Sequence, residues 1–325
     1  MAQVLIHPSQ FPGQVRRDLM DSLRSRALNH KFLYDGIKQT RKWLALHQAC
    51  SPSRTDPECA AVYDRAFMTA AAQFGATDVH LLGLGCGGGQ KDTRALQLLL
   101  SSGNRVSYAP VDVSTAMVLT ARENALARVP GLACTPLVCD LATASDLPGA
   151  FAPLAPPGAR RLITCFGLIP NFEQTFLPRL AALLAPDDRL LLSANLAPGP
   201  AYAEGMKRIL PFYDNPPTRD WLLSFLLDLG VEPADGEILF TVEDGSAGLK
   251  RVVARFEFSA ARQVEVDEDK VLFHSGDSLR LFFSYRHTPA LMRELLVDAQ
   301  LETLGQWITP SQEEGVFLAR ARRVP

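Results

Sequence analysis

Through the middle of the chain, short apolar runs alternate with stretches whose apolar residues recur at helical spacing. The first run closes on Leu81-Leu82-Gly83-Leu84, and others fall at 105–111, 133–139, 161–166 and 189–195. The stretches between them predict a helix opened by a glycine turn, one beginning near Ser114, a short one over 146–153 and one over 173–185. Such alternation predicts a parallel sheet with helices on both faces. From Pro198 to about Leu229 the pattern is helical and interrupted by prolines. Strands then follow one another at 238–242, 249–258, 262–266 and 279–285. Strands without intervening helices imply an inserted antiparallel unit. The first pattern returns with a helix over 289–299 and a hairpin of strands at 304–308 and 315–321. Near the start, Ile37, Trp43, Leu44 and Leu46 keep helical spacing, and Thr55-Asp56-Pro57-Glu58 has the form of a capping box before a helix reaching about Gln73. Two helices are thus expected before the first strand. The expected division is a Rossmann-like domain from 57–196 plus 284–325 and an α+β substrate-binding unit from 1–56 plus 197–283. Neither piece of that second unit carries enough apolar periodicity to close a core alone.

Charge narrows the function classes. The 325 residues hold 33 Lys+Arg against 35 Asp+Glu, a net charge of −2, so no broad basic face for nucleic acid is implied. No apolar stretch approaches the roughly 18 residues of a membrane span, and no signal-peptide pattern is present. A cytoplasmic monomer is expected, with no nucleic-acid or membrane partner. The cysteines at 50, 59, 86, 134, 139 and 165 form no C-x-x-C pair and read as reduced, buried, small hydrophobes. The six histidines contain no H-x-x-x-H pair, and no metal site is expected.

The candidate chemistry begins at Leu84-Gly85-Cys86-Gly87-Gly88-Gly89-Gln90-Lys91. Glycine tolerates positive φ and lets backbone N–H groups approach a ligand, so this turn is suited to a nucleotide-like molecule. Gly83-x-Gly85-x-x-Gly88 satisfies the dinucleotide fingerprint, and Gly83-x-Gly85-x-Gly87 equally fits the S-adenosylmethionine (SAM) loop. The next strands favour SAM. One ends at Asp112, whose carboxylate can accept from both ribose hydroxyls; another ends at Asp140-Leu141, an acid for an exocyclic amine beside an apolar residue for adenine. Either aspartate could instead cap the helix or turn that follows it.

In order and spacing the chain resembles the SAM-dependent histidine Nα-methyltransferases of ergothioneine biosynthesis and their fungal relatives acting on prenylated tryptophan. The resemblance rests on Lys31-Phe32-Leu33-Tyr34-Asp35, Pro52-Ser53-Arg54-Thr55-Asp56, the glycine loop with Lys91, and Asp112. It continues in Gly167-Leu168-Ile169-Pro170-Asn171-Phe172, Phe212-Tyr213-Asp214 and Phe283-Ser284-Tyr285-Arg286. It implies a class I methyltransferase fold, a Rossmann-like seven-stranded sheet with an inserted substrate-binding domain. It further implies that the backbone at Gly83, Gly85 and Gly87, with Lys91, meets the methionine part of SAM. Asp112 then holds the ribose, and Asp140 with Leu141 the adenine. Asn171 and Tyr213 match ligands of a substrate α-carboxylate, Tyr34 a tyrosine beside the α-amine, and Ser284 a side-chain reader. Tyr34 and Tyr213 also fit the catalytic role of orienting the amine, with Asp214 a candidate proton acceptor through water. Plain alternatives exist: the tyrosines as amphipathic core edges, and Asn171 as a helix cap.

Departures from that pattern bear on the substrate. Where the histidine enzymes place a glutamate that holds the imidazole, this chain has Phe282, two residues before Ser284 and on the same strand face. Loss of the carboxylate removes a charge-assisted hydrogen bond and leaves an apolar ring site. Gly83 stands where SAM enzymes often carry an acid, and Leu168 and Pro170 replace smaller or more flexible residues before Asn171. The expected activity is SAM-dependent N-methylation of a free amino acid, histidine-like, histidine-derived or aromatic, or of a related small amine. The alternative is a SAM-dependent methyltransferase of another small molecule. A binding protein without activity is disfavoured by the intact loop.

Overall fold

The computed structural model describes residues 3–51 and 55–322. Pro52, Ser53 and Arg54 lie outside the described residues, as does any capping by their segment. A short strand that no apolar run announced, β1 (Leu5–Ile6), comes first, and the apolar runs become β2 (Asp78–Leu84), β3 (Arg105–Asp112), β4 (Ala133–Cys134), β5 (Leu137–Val138), β6 (Arg160–Cys165) and β7 (Arg189–Asn195). The insertion supplies β8 (Gly236–Asp244), β9 (Lys250–Phe258), β10 (Arg262–Val266), β11 (Asp269–Phe273) and β12 (Ser278–Arg286), and the chain closes with β13 (Leu301–Ile308) and β14 (Glu314–Ala321).

The central sheet runs β1-β5-β3-β2-β6-β7-β14-β13, with β4 also paired to β3. Pairing is parallel from β1 to β7, while β14 enters antiparallel between β7 and β13. β4 and β5 are halves of one expected strand. Pro136 breaks it: a proline has no N–H for the ladder, and its carbonyl accepts the Leu5 N–H at 2.9 Å instead. Counting the halves together leaves seven strands and the short edge strand β1. Along the strands, side chains alternate between two cores. Leu82, Ile163, Leu190 and Phe317 enter one; Leu81, Leu162, Leu191 and Leu318 enter the other, with Tyr63 and Phe67 of the helix Pro57–Ala72.

The insertion forms a three-stranded antiparallel sheet, β12-β9-β8, and a separate β10–β11 hairpin. β11 and the helix Pro12–Ser25 were not expected from the apolar pattern, so three helices among the described residues precede β2 rather than two. The first of them and the segment after it share a core with the insertion, whereas the helix Pro57–Ala72 packs on the central sheet. Met20, Leu23, Phe32 and Leu33 pack with Trp221, Phe225, Phe256 and Leu281, and the Trp221 indole donates to the Leu33 carbonyl at 2.9 Å. The cap of helix Pro57–Ala72 is Asp56, whose carboxylate accepts the Glu58 N–H, rather than a Thr55 box. The helix expected over 173–185 shortens to Phe176–Ala181. Its last turn tightens through i to i+3 bonds at Leu183 and Leu184 before Pro186. All six cysteines are free thiols; Cys59, Cys139 and Cys165 are buried as expected, but Cys86 and Cys134 are half-buried and Cys50 is exposed.

Candidate active site

A cleft of about 1000 Å3 lies between the glycine loop and β12. β2 delivers the chain into Gly85 (φ 60°) and Gly87 (φ 51°), backbone that a side chain would strain. Space is equally tight. A Cβ on Gly85 would stand 2.8 Å from Leu168, and one on Gly87 3.2 Å from the Trp43 ring. Trp43 belongs to the helix Ile37–Cys50, so the N-terminal segment roofs the loop. Asp112 ends β3 beneath it, with Oδ2 accepting the Gly87 N–H at 3.0 Å and Oδ1 that of Ser114 at 3.1 Å. Capping of the next helix falls to Ser114, through the Met117 N–H at 3.3 Å. Burial pushes the Asp112 carboxyl up to about 6, against the lowering by backbone hydrogen bonds from Ser114, Gly87 and Val113.

Asp140 also reaches the cleft, but its oxygens are engaged. Oδ1 accepts the Ala142 N–H at 2.9 Å; Oδ2 accepts from the Thr143 hydroxyl at 2.8 Å and the Asn29 amide at 3.2 Å. The buried Lys31 ammonium is 3.5 Å away and pairs with Asp18 as well. The turn-capping contact thus exists beside any adenine role, and Leu141 follows Asp140 in the wall. Lys91 donates to the Tyr63 hydroxyl at 2.8 Å and stands 3.5 Å from Glu314, which Tyr63 also hydrogen-bonds. Burial pushes Glu314 up, but Lys91 and donors from Tyr63 and Cys59 outweigh it and leave its pKa below the ordinary value.

Of the residues selected from sequence, Gly83 and Asp214 are outside the cleft wall. A Cβ on Gly83 would lie 2.1 Å from Asp92 Oδ2. The space that an acid at 83 would fill is therefore taken by a carboxylate from the helix Gln90–Ser101. Asp92 accepts from the Tyr108 hydroxyl at 2.8 Å and the Thr164 hydroxyl at 2.7 Å, and burial raises it to about 6.

At the other end, rings surround Phe282. His30 stacks on it at 5.2 Å and 19°, Trp221 meets it edge-on at 5.8 Å, and Tyr213 lies at 6.2 Å. A register shift between Arg280 and Phe282 sets the facing: Phe282 opposes Ala254, and Ser284 opposes Val252. The Tyr213 hydroxyl accepts from Arg286 at 2.9 Å and pairs with Ser284 Oγ at 2.9 Å. Tyr34 packs against Trp43 and Trp221, and its hydroxyl makes no hydrogen bond among the described residues. Burial, then the nearby Asp112 charge, raises the Tyr34 phenol well above its ordinary value, so it stays protonated. Asn171 lies in the turn Ile169–Asn171 and does not cap the helix at Phe176; its amide reaches only the Gly167 carbonyl, at 3.5 Å. Asp214 faces Arg219 at 2.6 Å and is outside the wall, so it is removed as a proton acceptor.

Sequence reasoning missed His30, Trp43, Tyr63, Asp92, Trp221 and Glu314. Asp92 alone left a trace, as an acid one residue after Lys91 opposite the missing one at 83. Among the described residues no group of three or more His, Cys, Asp or Glu is placed to hold a metal ion, and no helix is long and apolar enough to cross a membrane.

A family model described as histidine-specific methyltransferase, SAM-dependent, matches residues 15–205, more than half of the chain. The chain belongs to this family. It is a SAM-dependent methyltransferase, and SAM is its cofactor. No curated protein matches it. Similar solved structures include magnesium protoporphyrin IX methyltransferase from Synechocystis PCC 6803 with bound SAH, the demethylated cofactor (13% identity, 88% of this chain, 95% of that chain, TM-score 0.44). Others are 1,6-didemethyltoxoflavin-N1-methyltransferase of Burkholderia thailandensis (14%, 99%, 94%, 0.41) and the CcbJ methyltransferase of Streptomyces caelestis (16%, 81%, 90%, 0.39).

Proposed function

We propose that this methyltransferase methylates the amine of a free amino acid whose side chain presents a flat face. The observation that carries the reading is Phe282: a ring wall of Phe282, His30 and Trp221 stands in the same cleft as the glycine loop, Tyr34, Tyr213 and Asn171. The site suits the cofactor. Gly85 and Gly87 leave a cradle that a Cβ would fill, and the buried Asp112 carboxylate can accept from a ribose diol. In this reading Lys91 meets the methionine carboxylate, Asp92 stands in for the acid missing at 83, and Asp140 with Leu141 borders the adenine.

SAM supplies an electrophilic methyl, so the protein's task is alignment and exclusion of water rather than acid–base chemistry. Tyr34, protonated and without an internal partner, can accept from the substrate amine and direct its lone pair. Asn171 can donate its amide to the α-carboxylate. The Tyr213 hydroxyl must turn from Ser284 to do the same, which frees Ser284 toward the side chain. Residues 1–56 and 197–283 form the substrate-holding unit of this reading, and the aromatic core that joins them supports it.

The test is incubation of the protein with SAM and a pool of the amino acids, with mass spectrometry for products heavier by one, two or three methylene units. Methylated aromatic amino acids are expected above methylated histidine. Absence of any methylated amino acid, with SAH still bound, would favour another small-molecule substrate.

A further inference from the structure

Two donors in the cleft wall have no partner among the described residues. His30 Nε2 accepts the Phe283 N–H at 3.2 Å. A ring nitrogen that accepts is unprotonated, so the neutral imidazole carries its proton on Nδ1. Nδ1 is buried and makes no hydrogen bond, an arrangement that costs free energy unless something outside the chain accepts from it. Burial first, and then the charges of Arg280 and Arg251, push the His30 pKa down to about 3, which favours the neutral ring.

The second donor is Arg280. Its guanidinium lies over the Phe283 ring at 5.2 Å, and His30 packs on that same ring at 4.5 Å. Among the described residues its side chain makes no hydrogen bond or ion pair. Its neighbours are already spoken for: Arg251 pairs with Glu173 at 3.3 Å and with Glu243 at 3.4 Å, and Arg255 pairs with Glu243 at 2.8 Å. Three guanidiniums share two carboxylates, and the one left over lines the cleft. Glu173 and Glu243 act on Arg280 only from beyond ion-pair distance; a partly buried arginine with no carboxylate in contact is uncommon, and its fork matches one.

We propose that His30 Nδ1–H and Arg280 form a subsite for an acceptor group, a carboxylate above all, carried on the substrate's side chain. The ring wall takes the flat frame and the two donors take its polar end. Relative to a pocket that reads an imidazole through a glutamate, the sign of the recognition is reversed: acceptor in the ligand, donors in the protein. This rests on the amino-acid reading above for the ligand class, and it deepens that reading by naming the side chain's charge.

The experiment compares L-phenylalanine with para-carboxy-L-phenylalanine on SAH-loaded protein by calorimetry, and on SAM-loaded protein by turnover. Wild type should bind the carboxylated compound at least tenfold more tightly. Arg280→Gln should bring the two affinities together. Arg280→Lys keeps the charge and loses the fork, and should retain part of the difference. His30→Phe keeps the stack and removes the donor, and should narrow the difference while the protein remains folded by circular dichroism. Equal binding of the two compounds by wild type, or an equal loss on both in Arg280→Gln, would overturn the subsite. Binding that prefers the carboxylate without turnover of either compound leaves the subsite standing and removes amino-acid methylation; turnover of both at equal affinity does the reverse.

Discussion

The two ends of the cleft are built from different materials. At the glycine loop the groups that face the space belong to the backbone or to buried carboxylates with fixed donors: Asp112 is held by two backbone N–H groups, and Asp92 by two buried hydroxyls. At β12 they are ring faces drawn from three distant segments, with His30 and Tyr34 from the N-terminal part, Tyr213 and Trp221 from the helices, and Phe282 from the strand. Backbone-held dipoles stay fixed whatever the neighbouring side chains do, and they suit an invariant cofactor. A wall of side chains is replaced one residue at a time, and apolar contacts discriminate weakly between similar ligands. In the proposed function the first end sets which reaction occurs, and the second sets on what.

The hardest way to break this contrast is to remove the carboxylate at the first end. Asp112→Ala should lose two charge-assisted hydrogen bonds to the ribose, together roughly 3 kcal/mol, or about a hundredfold in SAH affinity. Calorimetry with SAH on folded variant checks it. Affinity within a few-fold of wild type would mean that Asp112 only holds the loop.

Phe282→Glu tests the second end. A carboxylate placed among His30, Trp221 and Tyr213 offers an acceptor to a ligand that brings a donor, as an imidazole does, and phenylalanine brings none. The ratio of kcat/KM for histidine over phenylalanine should rise by about 1.5 to 3 kcal/mol, some ten- to hundredfold, while SAH affinity stays that of wild type. An unchanged ratio in a folded variant would show that residue 282 does not meet the substrate ring, and the contrast would lose its second half.

Legibility in the sequence divides along the same line. The loop, Asp112, Asp140 and Lys91 could be read because strand, turn and acid follow one another along the chain, and local order fixes their meeting. Phe282 and Ser284 could be placed on one face because a strand alternates with period two. What could not be read are contacts between segments: Trp43 over Gly87, His30 on Phe282, or Asp92 in the space beside Gly83. Such contacts depend on how the N-terminal helices pack on the insertion, for which a single sequence carries no register. The break at Pro136 was visible as a residue but not as a consequence, since a proline is tolerated wherever an edge strand such as β1 can use its carbonyl. The helix Pro12–Ser25 escaped for a related reason. It buries only Met20, Ser22 and Leu23, too sparse an apolar stripe to show as a period.

The smallest expected effect sharpens the first end through pH. Burial lifts Asp112 from 3.8 to about 6 in the protein without ligand. A carboxyl whose folded value is raised stabilises the fold below the unfolded value and loses that contribution as pH climbs through the folded one, so Asp112 makes the ligand-free protein less stable between about pH 4 and about pH 6. Cofactor binding should run the opposite way. Ribose hydroxyls donate to the ionised form, so below about 6 the proton must first be displaced, and SAH affinity should fall by up to about tenfold per pH unit. Asp92, raised to the same value, faces no ribose and belongs in the comparison as Asp92→Asn. SAH affinity measured from about pH 7 down to about pH 5 should therefore decline in wild type and in Asp92→Asn, but stay low and level in Asp112→Asn. A decline that persists in Asp112→Asn and vanishes in Asp92→Asn would transfer the titrating group to the helix, and with it the cofactor contact now assigned to the end of β3.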